Sequence, residues 1–184
     1  IMYYTYNLIF KFTFKMSNSN KTNKTNFQKV IEFNDGFGVP VSDSIQTNVF
    51  KENPGLVKLR LDLILEEVRE LTDAAKEHDM VETIDALADI LYVVYGAGAS
   101  FGIDLDKAFD IVHRSNMSKL CMTEEDAVET VRIYKEKYEK GESPYDTPTY
   151  RRSKDSKYWV VYNESTGKIL KNYKYTPANF ADML

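Results

Sequence analysis

The chain has 184 residues, a net charge of −4, a hydrophobic fraction of 43% and a single cysteine. That length holds one domain with room for a small appendage, and the apolar fraction is enough for a core. The acidic balance argues against a dedicated nucleic-acid binder, which carries a basic face. The lone Cys121 excludes a disulfide framework and suits a reducing, cytoplasmic setting.

Residues 1–15, IMYYTYNLIFKFTFK, are aromatic and lysine-bearing. No lysine precedes the apolar stretch and no small-residue cleavage site follows it, so they do not read as a secretory signal. We expect translation to begin at Met16, with residues 1–15 foreign to the native protein; a short added strand is the alternative. Residues 17–26 are polar, repeat Asn-Lys-Thr and have too little apolar surface to order themselves, so 1–26 reads as an extension. Phe27, Val30, Ile31 and Phe33 predict a short amphipathic helix, broken by Gly36, Gly38 and Pro40. A loop to Pro54-Gly55 follows.

Leu56, Leu59, Leu63, Ile64, Val68, Leu71 and Ala75 recur every three to four residues, which predicts an amphipathic helix over 56–76. After the short turn Glu77-His78-Asp79, a helix over 80–101 is apolar nearly all round and belongs at the centre of a bundle. A transmembrane reading fails, because the apolar run is short and carries Asp89 near its start. Asp104 is the expected N-cap of a third long helix reaching Lys119, and Thr123 with Asp126 opens a charged helix that Gly141 closes. Beyond Pro148 the pattern turns strand-like, with a strand over 158–162, a turn over 163–167 and a return over 168–170. The fold class is all-α: a helical bundle over 27–140 and a small β-hairpin over 141–184.

Chemistry concentrates in two acidic clusters. Glu66 and Glu70 lie four residues apart and Glu67 and Glu70 three apart, so each pair shares a helix face. Glu82, Asp85 and Asp89 follow the i, i+3, i+7 rule on the next helix. Carboxylates beside apolar residues cost free energy unless something pairs them. Hard oxygen donors without a Cys/His group favour Mg²⁺ or Mn²⁺ over zinc. Two plainer readings stand beside this one: a solvated face for the first cluster, and ion pairs of Asp85 and Asp89 with Arg60, Arg69 or Lys76.

Further along, Arg114, Asn116 and Lys119 gather cations and donors for phosphate oxygens at a helix end. Dipole compensation is the plainer alternative for Lys119, and Arg114 reads more as a structural partner of an acidic neighbour. His113 reads as a packed histidine more than a proton shuttle. No Ser-His-Asp or Cys-His order supports covalent catalysis. Phe33, Phe37 and Tyr92 are candidates to stack on a nucleobase, and each is as readily a core aromatic.

The order Glu66-Glu67-x-x-Glu70, Ala88-Asp89-Ile90-Leu91-Tyr92, Gly102-Ile103-Asp104-Leu105-Asp106 and Val112 through Lys119 resembles the all-α nucleoside triphosphate pyrophosphohydrolases. That superfamily holds MazG-like enzymes, dimeric dUTPases, dCTP pyrophosphatases and phosphoribosyl-ATP pyrophosphohydrolases, and the resemblance covers about residues 33–120. It implies Mg²⁺-dependent hydrolysis of a nucleoside triphosphate to monophosphate and diphosphate, with water attacking the α-phosphorus. It implies Glu67 and Glu70 as metal ligands, Glu66 as ligand or water-orienting base, and Asp89 as the ligand from the second helix. Asn116, Lys119 and Arg114 are implied on the phosphates. A house-cleaning role on dUTP or a similar nucleotide follows, with phosphoribosyl-ATP as the alternative substrate and a homodimer or homotetramer as the assembly. One departure matters: the family's Glu three residues before Asp89 is Ala86 here. Asp85 or Glu82 is expected to replace it. A non-catalytic nucleotide- or metal-binding protein is the alternative from another class. No nucleic-acid or membrane partner is expected.

Overall fold

The computed structural model of the chain describes residues 23–184, so the expectations for residues 1–22 lie outside the described part. It contains α1 (Asn26–Phe37), α2 (Val49–Glu52), α3 (Pro54–Glu77), α4 (Met80–Phe101), α5 (Leu105–Met117), α6 (Glu124–Glu139), β1 (Pro148–Arg152), β2 (Trp159–Asn163) and a 3-10 turn at Ala181–Met183. The mostly helical reading with a small antiparallel sheet holds.

Local chemistry sets the helix ends. Thr25 and Gln28 form a reciprocal capping box that starts α1, so the helix begins just inside the segment expected to lack order. The expected loop before Pro54 contains the single turn α2. Asn53 caps α3 by accepting the Leu56 N–H at 3.1 Å, and Pro54 stands at the first helical position, where its missing N–H is no loss. His78, at φ 56°, ends α3, and Asp79 Oδ1 then accepts the N–H groups of Val81 and Glu82 at 2.9 and 3.1 Å. This reversal lays α3 and α4 together as a hairpin, the most extensive helix contact in the molecule. α1 packs on α4, with Phe33 edge-on to Tyr92 at 5.6 Å and Phe27 near Tyr95 at 6.2 Å.

One expectation is corrected here. α4 does not sit centrally within a single chain. Met80, Ile84, Leu87 and Leu91 form a stripe spaced four, three and four residues apart, and all stand open, Ile84 at 63% exposure. Leu61, Leu65 and Val68 form a matching open stripe on α3. The helix is apolar on faces that α1 and α3 are too few to cover. By length and mean hydropathy (1.3) α4 would also pass for a membrane span, yet Asp85 and Asp89 interrupt it and α1 and α3 pack along it.

The loop after α1 folds back on the end of α4, where Ser42 and Gln46 donate to the carbonyls of Ala99 and Phe101 at 3.0 and 2.9 Å. Gly102 makes this possible. Its φ is +72°, and a Cβ there would stand 1.9 Å from the Ser44 carbonyl oxygen. Strain and clash together predict that Gly102→Ala costs at least about 2 kcal/mol. A fall in the urea midpoint at unchanged slope would show it; an unchanged midpoint would contradict this packing.

The carboxyl-terminal part builds its own core from Cys121, Ala127, Val131, Val161 and Leu170, with Tyr134, Tyr145, Tyr150 and Trp159 around them. Here a second expectation is corrected. β2 pairs mainly with β1, Val161 opposite Tyr150 and Trp159 opposite Arg152. The expected return over 168–170 lies on the other side of β2 as a single bridge, Tyr162–Ile169, flanked by the Asn163 N–H to the Lys168 carbonyl at 2.8 Å and the Leu170 N–H to the Val161 carbonyl at 2.9 Å. Pro148 is tolerated because it opens β1.

Asp146 ties the hairpin base together. It accepts from Ser165 Oγ at 2.6 Å, Asn163 Nδ2 at 3.0 Å and Thr147 Oγ1 at 3.2 Å, and these bonds hold its carboxyl down at about 2. A depressed carboxyl stabilises above its unfolded value and loses that contribution as pH falls through its folded one. Trp159, the sole tryptophan, should therefore show a fluorescence change between pH 3.8 and about 2. Asp146→Asn should flatten that change, and an identical acid profile in the variant would refute the assignment.

Candidate active site

α3 and α4 bring the two acidic clusters face to face. Glu67 is the half-buried member, and Glu66, Glu70, Asp85 and Asp89 are exposed around it. Its carboxyl is pushed up, first by burial and then by the charges of Glu70, Asp89, Glu66 and Asp85. Glu67 Oε2 is buried with no hydrogen-bond partner. Among the described residues none of these five carboxylates forms an ion pair, and Lys76 is taken by Asp73 at 2.7 Å. The ion-pair alternative for Asp85 and Asp89 is therefore not what the fold builds.

A buried carboxylate oxygen flanked by four like charges is destabilising until a cation arrives. The donor set is all oxygen and suits a hard divalent ion. Among the described residues no three His, Cys, Asp or Glu side chains already stand in ligating geometry, so the carboxylates would have to draw in around an ion. Ala86 is buried. Of the two proposed replacements for a Glu there, Asp85 acts on Glu67, whereas exposed Glu82 is not among the charges that reach it.

Three aromatics gather where α1 packs on α4. Phe33 and Phe37 stack at 4.3 Å, and Phe33 meets Tyr92, which lies one turn after Asp89. All three are partly open to solvent, Phe37 most of all. They form a surface patch rather than a closed core.

The phosphate-side residues lie at the end of α5. Lys119 Nζ donates to Asn116 Oδ1 at 2.7 Å, while Arg114 is exposed and in no ion pair among the described residues. Between them Ser115 turns inward, its Oγ donating to the Thr176 carbonyl at 2.9 Å and lying 2.9 Å from the Tyr175 hydroxyl. The carboxyl-terminal segment thus clamps the end of α5. Within one chain no hydrogen bond or ion pair among the described residues links Arg114, Asn116 or Lys119 to the carboxylates. His113 is exposed. Cys121 is fully buried and burial pushes its thiol pKa up, which leaves it a poor nucleophile.

Sequence reasoning missed the clamp, and it used Arg60 only as a counter-ion. Arg60 is buried in the α3/α4 seam beside Gly96. The signal was its place seven residues before Glu67, two turns along one helix face.

The hairpin of α3 and α4 thus presents carboxylates from both helices around the partnerless Glu67 oxygen. The profile of phosphoribosyl-ATP pyrophosphohydrolase matches residues 30–116, from α1 to the end of α5. An uncharacterized protein of Acanthamoeba polyphaga mimivirus is 35% identical over a 249-position alignment that takes in 90% of this chain and 98% of that protein. Residues 30–116 belong to the phosphoribosyl-ATP pyrophosphohydrolase family, related to the MazG-like all-α nucleoside triphosphate pyrophosphohydrolases. The chain's activity is of the pyrophosphohydrolase type.

Proposed function

We propose that the protein is a Mg²⁺-dependent nucleoside triphosphate pyrophosphohydrolase that removes dUTP or a similar nucleotide from the pool. The observation that carries this reading is the partnerless Glu67 oxygen among four further carboxylates, with an open aromatic patch one turn away. Glu67, Glu70, Asp85 and Asp89 would hold the metal. Bound there, the ion neutralises phosphate charge and lowers the pKa of a coordinated water. Glu66, exposed on the same helix, orients the attacking water toward the α-phosphorus and takes its proton. Arg114, Asn116 and Lys119 bind phosphate oxygens, and Phe33, Phe37 and Tyr92 offer the base a stacking surface. The open stripes of α3 and α4 fit a second copy of the chain, which makes the working unit a homodimer or a pair of dimers.

Phosphoribosyl-ATP is the second substrate reading, favoured by the family to which residues 30–116 belong. The deciding measurement is diphosphate release from a panel of dNTPs, NTPs and phosphoribosyl-ATP, with Mg²⁺ or with EDTA. Mg²⁺-dependent release from one deoxynucleotide supports the proposal and names the substrate. Release from phosphoribosyl-ATP alone replaces the substrate assignment. No release from any of them, with the protein folded, would sink the hydrolase reading.

A further inference from the structure

Arg60 stands apart from the other cations of the described chain. It is 8% exposed, it enters no ion pair among the described residues, and its Nε has no hydrogen-bond partner. Burial alone acts on its ionisation, drawing its pKa below the ordinary arginine value, and no carboxylate contributes. The chain has 28 acidic residues against 24 basic ones, so counter-ions are not scarce. A guanidinium keeps its proton and carries five N–H donors, and burying it unpaired is costly. The fold tolerates that cost at this one place.

Its surroundings point the same way. Gly96 of α4 faces the guanidinium: a Cβ there would stand 3.4 Å from Arg60 Nη1, at van der Waals contact. Ser100, one turn further along α4, is buried with its Oγ unpartnered. Glu67 lies two turns from Arg60 on the same face of α3, about 10 Å along the axis. The seam therefore carries an unspent carboxylate at one level and an unspent guanidinium at the other. A formal cation calls for formally anionic oxygens rather than a carbonyl. A phosphate chain held at the carboxylates would supply them at about that distance.

We propose that Arg60 is a polyphosphate-binding residue, its guanidinium receiving the terminal phosphoryl oxygens of the substrate, the end that departs as diphosphate. The inference rests on the pyrophosphohydrolase reading. It separates Arg60 from Arg114, Asn116 and Lys119, which reach the phosphates from α5. It also explains why an arginine is kept where an apolar side chain would pack without an unpaired charge.

The test is calorimetric binding of inorganic diphosphate, α,β-imido-dUTP and dUMP, in Mg²⁺, to wild type, Arg60→Met and Arg60→Lys. Arg60→Met is expected to weaken diphosphate and the triphosphate analogue by about tenfold or more, and to leave dUMP unchanged. Arg60→Lys should recover part of the loss, because it restores the charge but not the fork. Without ligand, Arg60→Met should melt no lower than wild type, since it removes an unpaired buried charge. An equal loss for dUMP would assign Arg60 to the nucleoside instead, and unchanged diphosphate affinity would overturn the proposal. So would a variant that only melts lower or dissociates. Wild type that releases diphosphate while Arg60→Met keeps its affinity sinks this inference alone. Wild type that neither binds diphosphate nor releases any sinks the enzyme reading with it.

Discussion

Glu67→Gln is expected to lose at least about a hundredfold in diphosphate release, and to melt at or above the wild-type temperature in the absence of metal. The two effects have one cause. Glu67 is the carboxylate on which burial and four neighbouring charges converge. Removing its charge relieves that repulsion in the metal-free protein and deletes the best-placed oxygen for a divalent ion. Added Mg²⁺ should raise the wild-type melting temperature and leave the variant's unmoved. A ligand at a hundred times its dissociation constant contributes about 2.7 kcal/mol to the folded state. An exposed member such as Glu82 supplies the contrast: Glu82→Gln should leave turnover within about twofold of wild type, as a solvated helix face predicts. If Glu67→Gln retained full Mg²⁺-dependent turnover, the site would have to be sought elsewhere.

How much of this was legible beforehand differs by element. The helical hairpin was legible because its signals are local: the apolar periodicity of 56–76, the turn at Glu77-His78-Asp79 and the Asp104 cap all act within a few residues. The meeting of the two acidic clusters was legible for the same reason, since a short turn forces neighbouring helices antiparallel. β1 was not legible. Its sequence, Pro148-Thr-Tyr-Arg-Arg152, has a proline and two charges and shows strand character only once β2 and α6 bury Tyr150 and Pro148. The clamp on α5 joins Ser115 to Tyr175 and Thr176, sixty residues away, and hydroxyl pairings at that separation leave no periodic trace. Arg60 was visible as a charge but not as an unpaired one, because pairing is a property of the folded surroundings. The position of α4 was misjudged on a different ground. A sequence apolar on every face predicts full burial, but it does not say whether one chain or two supply the cover.

That last point carries the second large prediction. Leu61, Leu65 and Val68 on α3, with Met80, Ile84, Leu87 and Leu91 on α4, repeat at three- and four-residue intervals and remain open. Such spacing is what one helical hairpin offers another in a four-helix bundle. A symmetric interface uses each residue twice. Burying one leucine is worth about 2 kcal/mol, so replacing Leu87 removes about 4 kcal/mol per dimer, a factor of about 10³ in the dissociation constant before any penalty for a buried charge. Leu87→Asp should accordingly run as a monomer in light scattering at concentrations where wild type is a dimer, with its helical circular dichroism kept. Turnover should fall as the dimer is lost, because among the described residues no hydrogen bond or ion pair within one chain ties the cations at the end of α5 to the carboxylates of α3 and α4. Val128, exposed on α6 outside both stripes, provides the control. Val128→Asp should change neither the mass nor the rate. A wild type that is monomeric and fully active at about micromolar concentration would remove the case for a second copy on this face, and the open stripes would then need another occupant.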